Sequence, residues 1–217
     1  RIDGDLITVT GTAGPSLIDH LAHTSSFGAT PEIKGTARWV IRALAAARGV
    51  KPASIHELYI AMGRGETGGF TVPAMNIRMM TYYTARAAVR AATAARAGAF
   101  IFEIARSEIG YTEQRPHEYV ASVLAAALRE GFEGQIFFQG DHVQVNAKKY
   151  ASADRDKELD TLRTLIQEEI AAGFYNIDID TSTLVDLSFP TLAEQQRHNF
   201  ERCAELAALI RELEPAG

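Results

Sequence analysis

From Phe70 onward, apolar runs of strand length alternate with longer runs of helical period, and this rhythm restricts the possible folds more than any other feature. The strand-length runs are Phe70–Ile77, Ala99–Ala105, Gln135–Gly140 and Tyr175–Asp180. The helical runs cover about Thr81–Ala97, Pro116–Glu130, Asp156–Ala172 and Leu192–Glu212. Glycines at 98, 131 and 173 follow the first three helices, where a C-terminal stop is expected. Repeated units of this length require parallel strands joined by crossover helices, so the expected class is α/β with four βα units.

Residues 1–69 read differently, as an N-terminal helical cap region ahead of the β/α units of residues 70–217. A short strand is expected over Asp5–Thr10 and a helical stretch near Ser16–His23. Trp39, Val40, Leu44 and Ala47 recur at helical spacing within Lys34–Arg48, and Ser54-Ile-His-Glu57 reads as a capping box opening a short helix into Met62-Gly63.

An apolar fraction of 47% suits an ordinary globular core. The net charge of -5 and a pI near 5.7 give no basic footprint, so nucleic acid is not an expected partner. No apolar run reaches the length of a membrane span and the first residues do not form a signal peptide, so no membrane association is expected. The single Cys203 cannot form an internal disulfide, which favours a reducing, cytoplasmic setting. The missing initiator Met suggests a trimmed N-terminus.

The chemistry concentrates at the strand ends. Gln135-Ile-Phe-Phe-Gln-Gly-Asp-His142 finishes an apolar strand with a carboxylate and an imidazole, in the position where parallel α/β folds carry their reactive groups. Taken alone, Asp141 reads equally well as the N-cap of a following helix. Side-chain alternation along the strands adds weight to the functional reading. If Phe100, Phe102, Ile104, Ile136, Phe138, Ile177 and Ile179 face helices, then Glu103, Gln139, Asp141, Asp178 and Asp180 turn the other way, and Asn76 joins them. Such a polar ring requires partners, solvent or a metal. The interior polarity favours a barrel over an open sheet.

These segments, in this order, resemble the class II, metal-dependent fructose-bisphosphate and tagatose-bisphosphate aldolases. Val72-Pro-Ala-Met-Asn76 is similar to that family's Pro-Ala-Phe/Val-Asn strand, and Ser107-Glu108 to its Ser-Glu/Asn-Gly turn. Gln139-Gly-Asp-His142 resembles its Leu-Asp-His strand end, and Asn176-Ile-Asp-Ile-Asp-Thr-Ser182 its Met-Ile-Asp-x-Ser strand. The glycine before Asp141 brings the chain closer to the tagatose-bisphosphate aldolase subunit branch.

The resemblance implies a (β/α)8 TIM-barrel type fold of which the first four units are present, with further His ligands and Gly-rich phosphate loops expected in later units. It implies that Asp141 is the catalytic acid/base, that His142 binds Zn2+ or another divalent metal, and that Asn76, Ser107 and Asp180 contact substrate. Glu103, Gln139 and Asp178 are further pocket candidates. His117 and His198 lie away from the strand ends and are poor ligands. The expected partner is a small-molecule sugar phosphate, and the expected assembly a homo-oligomer. The expected activity is aldol or retro-aldol chemistry on a ketose phosphate; the alternatives are a non-catalytic aldolase-like subunit and a sugar-phosphate-binding protein.

Overall fold

The computed structural model describes residues 13–215 and two short strands, β1 (Ile2–Asp3) and β2 (Leu6–Ile7), which pair antiparallel. The strand expected over 5–10 lies mostly outside the described residues. Helices α1 (Pro15–Phe27) and α2 (Pro31–Ala47) follow, the second capped by Thr30, whose hydroxyl accepts from the Ile33 N–H. Next come strand β3 (Val50–Ala53) and helix α3 (His56–Gly63). The βα units are β4 (Ala74–Asn76) with α4 (Thr81–Ala95), β5 (Ile101–Ala105) with α5 (Arg106–Thr112) and α6 (Pro116–Arg129), β6 (Gly134–Gln144) with α7 (Ala147–Tyr150) and α8 (Arg155–Ala172), and β7 (Asn176–Asp180) with α9 (Leu192–Leu213).

The sheet is parallel and five-stranded, not four-stranded as the periodicity suggested. β4, β5 and β6 lie side by side, and the far edge of β6 is shared by two strands. β3 pairs with its first part, Gly134 to Phe137, and β7 with its second part, Gln139 to Gln144. Asn176 joins the three: its Oδ1 accepts from the Ile55 N–H at 2.9 Å and its Nδ2 donates to the Phe138 carbonyl at 2.9 Å. Val50-Lys-Pro-Ala53 escapes detection because it is short, lacks alternation and contains proline. The sheet is an α/β layer compatible with a TIM-type barrel; among the described residues it does not close.

One face of the sheet carries the main core. Phe102, Ile104, Ile136 and Phe138 pack with Tyr119 and Leu124 of α6 and Ile166 of α8, all essentially inaccessible to solvent. Each such side chain contributes roughly 1.5–3 kcal/mol of burial free energy. α6 is buried on every side from Tyr119 to Leu128, because α1 and α2 cover the face it turns away from the sheet. That accounts for its Ala-rich, all-round apolar sequence.

The opposite face is divided. Near the strand beginnings Ile101 and Phe137 are apolar and covered by Ile55, with Leu58 packed alongside. Toward the strand ends the same face becomes polar. The segment from β3 to α3 thus closes the lower half of this face and leaves the upper half for chemistry.

Candidate active site

The geometry of the site turns on an irregularity in β6. Gly140 is opposite Ile177 and Val143 opposite Ile179, so Asp141 and His142 together face the single residue Asp178. This is a β-bulge, and His142 takes a left-handed φ of 44°. In a regular strand adjacent residues point to opposite faces. Here the extra residue lets Val143 return to the core, while the imidazole of His142 stays among the carboxylates on the polar face.

Asp141 is not a helix cap. The next helix, α7, is capped by Asn146, whose Oδ1 accepts from the Lys149 N–H at 3.1 Å. Asp141 Oδ2 instead accepts from Asn76 Nδ2 at 2.9 Å, and the same nitrogen donates to Glu108 Oε2 at 3.0 Å. Two carboxylates on one amide nitrogen settle which end of Asn76 is which, leaving its carbonyl oxygen without either of these acidic partners.

Glu108 is the member of this group that sequence reasoning passed over, although its neighbour Ser107 was singled out. Only 5% exposed, it accepts from the Ala105 N–H at 2.9 Å, from Asn76, and from Arg78 Nε. Burial pushes its carboxyl upward, but these donors outweigh burial and hold it below the usual range. A glutamate three residues after a strand end, followed by helix, was the available signal. Ser107 itself is exposed on the first turn of α5 and, among the described residues, makes no side-chain hydrogen bond to the group.

A second network surrounds the imidazole. His142 Nδ1 lies 3.2 Å from Asp180 Oδ2, and the His142 N–H donates to Asp178 Oδ2 at 3.3 Å. The hydrogen bond to Asp180, then the charge of Asp141, raise the imidazole above its ordinary pKa. Asp180 also accepts from Gln144 Nε2 and from the Ser182 hydroxyl at 2.6 Å; burial pushes it up, and these donors together hold it low. Nδ1 thus faces Asp180, while Nε2 faces Asp141, whose Oδ1 is 3.8 Å away.

Glu103 and Gln139 pair with each other, Nε2 to Oε2 at 2.8 Å. Burial, then the charge of Asp141, raise the Glu103 carboxyl. A cavity of about 980 Å³ opens on this face, with Gln139, Asn176 and Asp178 on its polar wall and Ile55, Tyr59 and Ile210 on its apolar wall.

Asp141, His142 and Asp178 each place one ligand atom within 4.8 Å of the others. Carboxylate oxygens with an imidazole suit a divalent cation, and the carboxylates gathered around His142 favour positive charge between them. The residues therefore fit such an ion.

A family model described as D-tagatose-1,6-bisphosphate aldolase subunit GatZ/KbaZ-like matches residues 83–214, well over half of the chain. The chain belongs to this family. Membership in the GatZ/KbaZ-like family makes it an aldolase-related protein and agrees with the resemblance carried by the strand motifs. Glu103, Asp141, His142, Asp178 and Asp180 fall inside the matched span, whereas Asn76 and Arg78 precede it. No curated protein and no solved structure matches the chain significantly. Among the described residues, no helix is long and apolar enough to cross a membrane.

Proposed function

We propose that this GatZ/KbaZ-like chain carries the acid/base and metal-binding part of a metal-dependent aldolase acting on a ketose phosphate, its open parallel sheet forming part of a TIM-type barrel. The supporting observation is the bulge that sets Asp141 and His142 side by side opposite Asp178. His142 and Asp178 would hold Zn2+ or another divalent ion, with Asp180 orienting the imidazole through Nδ1. When bound, such an ion supplies the positive charge against which an enediolate develops as a ketose is cleaved.

Asp141 moves the proton of the hydroxyl at the breaking bond. Asn76 clasps its Oδ2 and thereby aims Oδ1 toward the imidazole side of the pocket. Asn76 also offers its amide carbonyl to a substrate hydroxyl, while Asp180 and Ser107 are proposed contacts at the pocket rim. Glu103, whose carboxyl is raised by burial and by the charge of Asp141, is held in the pocket by Gln139. The proposed setting is the cytoplasm and the proposed assembly a homo-oligomer.

The word "subunit" in the family description supports a second reading, in which the same pocket binds substrate or metal and a partner chain performs the cleavage. One experiment separates these readings. With the metal supplied, cleavage of a ketose bisphosphate is measured for the chain and for Asp141→Asn, alongside metal affinity. An acid/base role lowers turnover by roughly 10²–10⁴-fold with metal affinity kept. Loss of metal affinity makes Asp141 a ligand instead, and absence of turnover in the unaltered chain favours the subunit reading.

A further inference from the structure

The strand end beyond the bulge is held at every backbone group from the Gln144 carbonyl to the Asn146 N–H. The Gln144 carbonyl accepts from Arg106 Nη1, and the Val145 N–H donates to the Asp180 carbonyl at 3.0 Å. The Val145 carbonyl accepts from the Thr183 hydroxyl at 2.7 Å, and the Asn146 N–H donates to Glu158 Oε1 at 2.8 Å. A bulge disrupts the ladder beside it. Past this one, only Val143 and Gln144 of β6 remain paired, opposite Ile179 and Asp180. Contacts from other elements therefore fix what the ladder holds weakly.

Two of these contacts come from one ion pair. Arg106 opens α5 directly after β5, and Glu158 lies in the first turn of α8. Glu158 Oε1 accepts from Arg106 Nη1 at 2.5 Å and Oε2 from Nη2 at 3.1 Å. The Glu158 side chain is 1% exposed and that of Arg106 19%. Burial pushes the Glu158 carboxyl up, but Arg106 and the Asn146 N–H outweigh burial and hold it below the usual range. Such a pair costs both partners their water, and apolar side chains of similar volume often stabilise a fold as well or better. Joining α5 to α8 is therefore a weak reason for it. Apolar side chains cannot, however, hold a carbonyl and an N–H on either side of Val145, and this pair holds both.

Gln144 carries the effect to the site. Its carbonyl is fixed by Arg106, and its Nε2 donates to Asp180 Oδ2, the oxygen that lies 3.2 Å from His142 Nδ1. We propose that the Arg106–Glu158 pair positions the strand end after the bulge, so that Gln144 and Asp180 hold the His142 imidazole among the carboxylates. Both are positioning residues, acting through Gln144. The consequence for a bound ion rests on the reading of His142 as a ligand; the positioning itself does not.

The test uses the full chain and four altered forms: Arg106→Lys, Glu158→Gln, the double variant Arg106→Met with Glu158→Leu, and Gln144→Ala. In the ion-free protein, NMR follows amide exchange at Val145 and Asn146 and the side-chain signals of Gln144 and His142. Arg106→Lys and Glu158→Gln are expected to speed exchange at these amides and to move the Gln144 amide and His142 ring signals toward those of free side chains. Affinity for Zn2+ or Mn2+ should fall by about tenfold, the lower end of the cost of losing support behind a ligating histidine. Gln144→Ala leaves the ion pair in place and should lose affinity to the same extent. The double variant removes both buried charges, so it should melt near the unaltered chain while still showing the moved His142 signals and the weaker ion binding.

Unmoved Gln144 and His142 signals in Arg106→Lys and Glu158→Gln would overturn the positioning role. So would full ion affinity in a double variant that melts like the unaltered chain, because the pair would then serve stability alone. If the unaltered chain binds no divalent ion but the His142 signals still move when the pair is altered, the positioning stands and the ion-binding reading falls.

Discussion

Glu169 of α8 presses its carboxyl against Gly140 of β6, the residue before Asp141: a Cβ built on Gly140 would lie 2.6 Å from Glu169 Oε2 and 2.9 Å from its Cδ. The glycine that marks the strand end is therefore required on the helix side of the sheet, away from the pocket. Among the described residues neither Glu169 oxygen has a hydrogen-bond partner, and the residue is 0% exposed. We expect Gly140→Ala to destabilise the protein by about 1–3 kcal/mol through overpacking. Urea unfolding of Gly140→Ala, Glu169→Ala and the double variant checks this. The two effects should couple, the double variant losing less than the sum of the singles.

Burial pushes the Glu169 carboxyl up from 4.5 to about 8. The folded state therefore keeps this proton where the unfolded chain has released it. Stability from that proton is full below about pH 4.5 and is lost as pH rises through 8. Glu169→Gln, which cannot titrate, should show a flatter pH dependence and melt above the unaltered chain at pH 8, with the gap narrowing toward pH 5. Parallel melting curves that keep a constant gap over this range would show that Glu169 is ionised or solvated when folded.

The alternation of strands and helices was legible because the first three βα units each end in a glycine and each crossover helix has an apolar face. Parity also separated Phe102 and Phe138, which meet helices, from Glu103 and Gln139, which meet each other. Parity could not reveal the bulge at Asp141 and His142, since an extra residue leaves no mark on a pattern of alternate burial until the partner strand is known. It also missed Val50–Ala53, whose place in the sheet depends on Asn176, more than a hundred residues away. Glu108 and Arg78 were hidden for a similar reason. Their roles come from side chains meeting across β4 and β5, which no spacing within either segment encodes.

Three substitutions separate the residues proposed to hold the ion from the residue proposed to aim it. His142→Ala removes the imidazole, so affinity for Zn2+ or Mn2+, measured by competition with a coloured chelator, should fall furthest, with little change in fold because the side chain is largely exposed. Asp180→Asn keeps shape and leaves every proposed ligand in place, but an amide oxygen holds the Nδ1 proton of His142 less firmly than a carboxylate does. Its affinity should drop by roughly 10–100-fold, the usual cost of losing the group behind a ligating histidine. Asp178→Asn should resemble His142→Ala more than Asp180→Asn, because Asp178 is the residue facing both members of the bulge. If Asp180→Asn abolishes binding while Asp178→Asn leaves it intact, the two aspartates have exchanged roles and the ion sits on the Nδ1 side of the ring.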